Sequence, residues 1–225
     1  MRRFSMIATL LFTLPALADF QSGVDAFNRG DYKIALQEWR PLLEQGDARV
    51  QNNLGSMYDY GLGVPQNYEE AAKWYRVAAE QGNSAAQNNL ASMYEYGLGV
   101  PQDYVEAAKW YRQSADQGNA AAQHNLGVMF AAGYGVGQDY TEAVHWFRLG
   151  AEQGYAEAQG KLGGMYGLGF GVTQDYVQAH MWLDLAAAQG NEDAREVRAI
   201  FADVMTAAEI FEAQDLARAW MAANP

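Results

Sequence analysis

One stretch of the chain decides its fold: NSAAQNNLASMYEYGLGVPQDYVEAAKWYRQSADQG, residues 83–118. Ala86, Leu90 and Met93 are spaced so that one face of a helix is apolar. The second half of the stretch has such a face too. Between the halves, residues 97–102 are rich in glycine and proline, which is typical of a segment that ends one helix and redirects the chain. The stretch therefore predicts a helical hairpin.

The same pattern returns every 36 residues along the chain. Four series of identical residues mark the period: Gly46, Gly82, Gly118, Gly154 and Gly190; Trp74, Trp110, Trp146 and Trp182; Tyr32, Tyr68, Tyr104, Tyr140 and Tyr176; and Ala35, Ala71, Ala107, Ala143 and Ala179. Periods of about 20–50 residues indicate stacked copies of one supersecondary unit. We therefore predict an all-α fold, a right-handed α-solenoid of helix-turn-helix repeats.

The period also predicts how the chain is divided. The expected parts are a signal peptide at 1–18, an abbreviated repeat at 19–46, full repeats at 47–82, 83–118, 119–154 and 155–190, and capping helices at 191–225. The last two helices should present the polar outer face that ends a solenoid.

Residues typical of helix ends recur at fixed places in each repeat. Asp103 precedes the second helix and Glu106 follows three residues later, a pairing that satisfies free amide donors at a helix start. Gly118 is expected to form a left-handed cap, and Asn119 can then open the next helix. Only Tyr155 departs from this Gly-then-polar step.

Small and large residues in the repeats predict how neighbouring hairpins pack. Alanine and glycine at the same places, such as Ala107 and Gly127, leave room for close backbone approach. The tryptophans should fill the space between hairpins, because positions that bind a partner would vary from copy to copy and these do not.

The order of these parts is Leu90-Ala91-x-x-Tyr94-x-x-Gly97-x-Gly99-Val100-x-x-Asp103-x-x-x-Ala107-x-x-Trp110, then Ala115-x-x-Gly118. It closely resembles the Sel-one-like repeat (SLR), a relative of the tetratricopeptide repeat, and it recurs four times. The resemblance implies an exported or organelle-lumenal adaptor that assembles protein complexes. Some bacterial members are cysteine-rich proteins described as penicillin-binding or weakly β-lactamase-like, with a disulfide in each repeat. This chain has no cysteine.

The N-terminus and the net charge predict where the protein works. Arg2 and Arg3, an apolar run over residues 6–14 and Ala16-Leu17-Ala18 form the pattern of a cleaved signal peptide, and the run is too short to span a bilayer. We expect a periplasmic or secreted protein with no membrane insertion after cleavage. The formal net charge of −12 makes nucleic acid a poor partner, since binding phosphates requires clustered Lys and Arg.

The sequence nominates no catalytic residue, cofactor or metal. The three histidines, His124, His145 and His180, have no metal-ligand spacing, and His124 is expected on the outer side of a first helix. No serine has a motif that supplies a base. Asp103 and Asp139 are explained as helix caps.

One stripe of the first helices should remain open, because helical geometry turns it away from the buried face. It comprises Arg49, Asn53, Ser56 and Tyr60, then Ala85, Asn89, Ser92 and Tyr96, then Ala121, Asn125, Val128 and Ala132, then Glu157, Lys161, Gly164 and Leu168. We chose nine of them as candidate partner-binding residues: Arg49, Asn53, Ser56, Tyr60, Asn89, Ser92, Tyr96, Asn125 and Lys161.

This stripe varies from repeat to repeat, and it predicts a concave groove in which asparagines grip the backbone of an extended peptide. The alternative interpretation is that the asparagines are merely solvated and the tyrosines pack on the loops. We therefore predict an exported, non-enzymatic scaffold for a protein or peptide partner. Two other functions stay open, a β-lactam-binding or weakly hydrolysing enzyme and a secreted factor that binds host proteins.

Overall fold

Twelve helices make up residues 20–224, the part of the chain that this computed structural model describes, and no strand occurs there. The helices are α1 (Phe20–Asn28), α2 (Tyr32–Glu44), α3 (Ala48–Tyr60), α4 (Tyr68–Glu80), α5 (Ser84–Tyr96), α6 (Tyr104–Asp116), α7 (Ala120–Ala132), α8 (Tyr140–Glu152), α9 (Ala156–Leu168), α10 (Tyr176–Ala188), α11 (Glu192–Ala202) and α12 (Ala207–Ala223). The predicted α-solenoid is confirmed. The predicted signal peptide lies outside the described residues.

Each full repeat consists of a first helix and a second helix that pack on one another. The first helices are α3, α5, α7 and α9, and their partners are α4, α6, α8 and α10. Each second helix also contacts the next first helix. Successive first helices approach one another: α9 contacts both α7 and α11, and side-chain hydrogen bonds join α5 to α3 and α7 to α5. We therefore take the first helices as the inner side of the array.

Both ends of the helices are fixed by the residues that the sequence indicated. The side chain of Asp103 accepts hydrogen bonds from the amides of Val105 and Glu106, and Gly118 has a φ of 86° directly after the cap of α6. The reciprocal half of the capping box is missing here, because Glu106 forms an ion pair with Lys109 at 2.5 Å instead. Within the described residues the full box occurs at Thr206 and Glu209, where α12 begins.

The loop between the two helices rests on the repeat before it. Its second glycine is left-handed and lies against the first residue of the preceding second helix. A Cβ added to Gly99, Gly135 or Gly171 would lie 2.0–2.1 Å from the carbonyl oxygen of Tyr68, Tyr104 or Tyr140. Only glycine therefore lets these two backbones meet.

The deepest side chains of the core stand one residue after each tryptophan of the series, and Trp39 takes the equivalent place in the abbreviated repeat. They are Trp39, Tyr75, Tyr111, Phe147 and Leu183, and all are almost fully buried. Tyr75, Phe147 and Leu183 each face a glycine on their own first helix, as Phe147 faces Gly127. Among the tryptophans, Trp146 and Trp182 are buried, whereas Trp74 and Trp110 are half-buried and pack against the clusters of adjacent repeats.

A chain of buried glutamines joins the repeats, and our sequence reasoning missed it. The members Gln51, Gln87, Gln123 and Gln159 each accept a hydrogen bond of 2.6–2.9 Å from a glutamine at the end of their own second helix. Gln87, Gln123 and Gln159 also donate to the carbonyl oxygens of Ala79, Ala115 and Ala151 in the preceding helix at 3.1–3.2 Å. The signal was available, since these glutamines share the 36-residue spacing.

The C-terminal cap departs from the repeat. The first of its helices, α11, takes the place of a regular first helix, but α12 packs on α10 rather than on α11. Trp220 of α12 meets Trp182 edge-on at 6.2 Å. The surface of the cap is not uniformly polar, because Ile200, Val204 and Phe211 are largely exposed.

Candidate protein-interaction groove

The predicted stripe runs along the inner side of the array and continues one row further than we expected. We call it the first-helix groove. It consists of the four stripe residues given above on each of α3, α5, α7 and α9, of Asp193, Val197 and Ile200 on α11, and of Val204 in the turn that follows α11. The fifth row was missed because the glycine and tryptophan series stop before it, although the period places these residues in the same register.

The structure leaves all nine candidate residues at least partly accessible. Arg49, Tyr60, Tyr96 and Lys161 are exposed, and the asparagines and serines are half-buried. The rings of Tyr60 and Tyr96 are 70% and 64% exposed, so they do not pack closely on the loops.

The asparagines form a connected ladder across the repeats. The side-chain amide of Asn89 donates to Asn52 Oδ1 at 3.1 Å, and that of Asn125 donates to Asn88 Oδ1 at 3.1 Å. An asparagine amide carries two hydrogens and can make a further donation. The ladder therefore orients its side chains while keeping some hydrogen-bonding capacity for a ligand.

Tyrosines of the second helices hold the base of the groove. The hydroxyl of Tyr75 donates to Ser56 Oγ at 3.1 Å and approaches Asp59 Oδ2 at 3.3 Å. In the following repeat, 83–118, the hydroxyl of Tyr111 donates to Glu95 Oε2 at 2.7 Å. Burial raises the pKa of Tyr75 and of Asp59, although the Tyr75 hydrogen bond partly offsets the shift at Asp59. Ser56 is therefore fixed by the core beneath it.

The two cations of the groove have different surroundings. Arg49 forms an ion pair with Asp47 at 2.6 Å and lies over the ring of Phe20 at 4.3 Å. Lys161 makes no ion pair with any residue in the range 20–224. It lies close enough to His124 to help lower the pKa of that imidazole.

Beside Lys161 the groove widens into a cavity of about 530 Å³ between α9 and α11. Its wall is mainly apolar, with Met165, Leu168, Val197 and Phe201 among the lining residues, and Glu157 and Asp193 are charged residues of its lining. The cavity was not foreseen, since it depends on how α11 docks on the array.

His124 lines this cavity, and the prediction that it lies on the outer side of its helix is wrong. Its ring packs at 5.8 Å from Phe147 and 5.7 Å from Tyr155, and its Nδ1 is buried without a hydrogen-bond partner among the described residues. Burial and then the charge of Lys161 lower its pKa to about 4. The imidazole is therefore neutral at physiological pH.

We expect acid to destabilise the wild-type protein more than the His124→Asn variant. The folded pKa of about 4 lies below the unfolded value of 6.5, so the unfolded chain binds the proton first and stability is lost as the pH falls from 6.5 toward 4. Between pH 7.5 and pH 4.5 the extra loss should be about 2 kcal/mol. Asparagine occupies this position at Asn52 and Asn88, so the variant restores a residue that the repeat accepts.

Urea unfolding of both proteins at the two pH values measures this difference. Equal losses of unfolding free energy would show that His124 is not held neutral by its surroundings.

Outside the groove, His180 and two charged neighbours form a cluster on α10 and α11. His180 is buried, with Nδ1 3.3 Å from Asp184 Oδ2, and Arg198 forms an ion pair with the same carboxylate. Burial acts to raise the pKa of Asp184, but the contacts of His180 and Arg198 outweigh it and hold that pKa low. Within residues 20–224 no three His, Cys, Asp or Glu side chains are grouped to bind a metal ion. In the same range no helix has the length and apolar character that crossing a bilayer requires.

Comparisons with known proteins agree with this architecture. The Sel1 repeat family matches residues 48–83, 84–119, 120–155 and 156–191. A Sel1 repeat protein from Oxalobacter formigenes is similar in structure, with a TM-score of 0.72 and 36% identity over 80% of this chain and 74% of that one. A protective antigen of uropathogenic Escherichia coli strains, which displays an SLR fold, has a TM-score of 0.75 and 34% identity. That alignment covers 88% of this chain but only 44% of the antigen.

A sel1 repeat structure from Klebsiella pneumoniae subsp. pneumoniae shares the fold at a TM-score of 0.53 and 21% identity, over 80% of this chain and 89% of that one. A search of the curated proteins finds no match. The four matched repeats cover more than half of the chain, and they contain the first four rows of the groove described above. The chain belongs to the Sel1 repeat family, whose members generally act as scaffolds for protein interactions.

Proposed function

We propose that this protein binds an extended segment of a partner protein along the first-helix groove and has no catalytic activity of its own. The carrying observation is the contrast between two sets of residues. Most interior positions keep one residue type, as in the series Leu54, Leu90, Leu126 and Leu162, whereas the groove is accessible and changes in character between its N-terminal and C-terminal rows. Variation confined to one continuous surface is expected where a repeat protein recognises its partner.

The chemistry of the first two rows supports binding of a peptide backbone. Asn53 and Asn89 present amides that both donate and accept, and Tyr60 and Tyr96 present rings that are more than half exposed. The cross-repeat bond from Asn89 to Asn52 orients the Asn89 amide before the ligand arrives, which lowers the entropic cost of binding. An extended strand bound this way gains affinity from its main chain.

We further propose that the protein works outside the cytoplasm, in the periplasm or after secretion. The supporting features are Arg2 and Arg3, the apolar run behind them and the Ala16-Leu17-Ala18 pattern. The net charge of −12 suits a partner that is basic rather than anionic.

Site-specific photocrosslinking in living cells tests the groove. A benzophenone amino acid in place of Tyr60 or Tyr96 should give an adduct with a partner protein. The same amino acid at Val77 or Val105, which are exposed on second helices, should not. Adducts of equal yield at all four positions would rule out the groove as the binding surface.

The captured partner then allows a measurement of affinity. Tyr60→Ala combined with Tyr96→Ala should weaken binding about tenfold or more, because exposed rings at the centre of an interface contribute strongly. Val77→Ala combined with Val105→Ala is the matched control and should leave the affinity unchanged. Circular dichroism of both double variants should show the same thermal midpoint, since none of these side chains is buried.

A further inference from the structure

The first-helix groove changes its chemistry from one end to the other. Its N-terminal rows on α3 and α5 carry amides, hydroxyls and tyrosine rings. Its C-terminal rows, on α9 and on α11 with the turn after it, end in aliphatic side chains, with Leu168 57% exposed and Ile200 and Val204 each 64% exposed. A ligand that follows the groove therefore meets a polar surface first and an apolar one last.

Two glycines create the cavity at the apolar end. Gly160 stands where earlier repeats have asparagine or His124, and Gly164 stands where they have serine or valine. A Cβ built on Gly164 meets no atom within 4 Å, so the space above it is open. The volume of about 530 Å³ lies within the range of 300–1,000 Å³ that is typical of ligand sites.

The charged residues at the cavity indicate whether its ligand should be cationic or anionic. Glu157 and Asp193 line it on the first turns of α9 and α11, and neither forms an ion pair with a described residue. Lys161 is the one cation in the lining. The carboxylates therefore outnumber the cations here, as they do over the whole chain, where the net charge is −12.

We propose that the cavity binds an apolar side chain of a basic partner segment, with a neighbouring lysine or arginine of that segment contacting Glu157 and Asp193. The inference rests on the proposed function and adds a recognition rule to it. The cavity opens into the groove rather than closing around a small molecule, so a chain lying on the Asn89 and Tyr96 rows can continue into it. The rule is one large apolar residue next to one cationic residue.

Selection from a phage-displayed library of random twelve-residue peptides tests this rule with the full chain immobilised. Selected peptides should be enriched in leucine, isoleucine, methionine or phenylalanine adjacent to lysine or arginine. Gly164→Phe should weaken the selected peptides about tenfold or more by filling the cavity. Its thermal midpoint should not fall, because the added ring enters open space and glycine is a poor residue for a helix interior.

Two further variants test the contribution of the carboxylates and the effect of a bulky ring outside the cavity. Glu157→Gln with Asp193→Asn should weaken the peptides about threefold to tenfold in low salt and make binding less dependent on salt. Val105→Phe adds an equally large ring on an exposed second-helix position, and it should leave the affinity unchanged.

The outcomes are distinguishable. Peptides that lose affinity with Tyr96→Ala but not with Gly164→Phe would overturn the cavity assignment and leave the groove proposal standing. Enrichment of acidic peptides, or displacement of every selected peptide by dodecanoate with no preference for cationic residues, would also overturn it. If no peptide is enriched over an unrelated helical protein, both this inference and the proposed function fail.

Discussion

Gly135→Ala should destabilise the protein by about 2–5 kcal/mol, a large cost for the addition of one methyl group. The residue has a φ of +65°, a conformation that costs an alanine about 1–2 kcal/mol. The new Cβ would also lie 2.0 Å from the carbonyl oxygen of Tyr104. That oxygen belongs to the backbone at the start of α6 and cannot rotate away. The loop must therefore separate from the preceding repeat, and such overpacking typically costs a further 1–3 kcal/mol.

Gly118→Ala is the matched control for this prediction. Gly118 has a φ of +86°, but a Cβ there meets no atom within 4 Å. Its cost should stay at about 1–2 kcal/mol, the price of the left-handed conformation alone. Urea denaturation of the two variants and the wild type compares the free energies of unfolding. If the two variants lose the same free energy of unfolding, the close contact between loop and helix is not the reason for glycine at position 135.

Phe147→Ala should cost about 3–5 kcal/mol of unfolding free energy, because it leaves a cavity at the centre of the array. Phe147 is 1% exposed and belongs to the large cluster that spans the middle repeats. Its ring fills the space opposite Gly127, where a Cβ would lie 2.7 Å away. The glycine backbone cannot move in to replace a lost phenyl ring.

Two other substitutions serve as comparisons for the loss of unfolding free energy in Phe147→Ala. Phe147→Leu should cost only about 1–2 kcal/mol, because Leu183 fills the same place opposite Gly163 in the next repeat. Phe170→Ala removes an equal ring that is 43% exposed and stacked on Tyr140, and it should cost about 1 kcal/mol. Calorimetry or urea unfolding of the three variants should rank them in this order. A loss for Phe147→Ala no greater than that for Phe170→Ala would contradict the packing described here.

The sequence predicted the helices well because each carries its own apolar face and end signals, as at Ala86, Leu90 and Gly118. It could not rank Trp110 against Tyr111, because neighbouring residues on a helix differ by only about 100° and both are aromatic and periodic. The structure makes Tyr111 the deeper of the two. Periodicity therefore identifies the buried face of a helix more reliably than it ranks the burial of individual residues on that face.

The open stripe followed from helical geometry, whereas its finer organisation did not. Whether Asn89 and Asn52 bond across repeats depends on how closely successive first helices approach, which no local pattern records. The cavity depends in addition on the docking of α11. The position of α12 depends on the distant contact of Trp220 with Trp182. Long-range packing of this kind leaves no periodic signal in the chain.

The second glycine of each inter-helix loop has a consequence for how the molecule is made. In three of the loops, that glycine packs against the first residue of the second helix in the preceding repeat, as Gly135 packs against Tyr104. The earlier helix itself packs on the first helix of its own repeat. The dependence runs from the N-terminus to the C-terminus, the order in which a ribosome delivers the chain. Each newly synthesised repeat can thus assemble on a finished template, without waiting for residues that have yet to be translated.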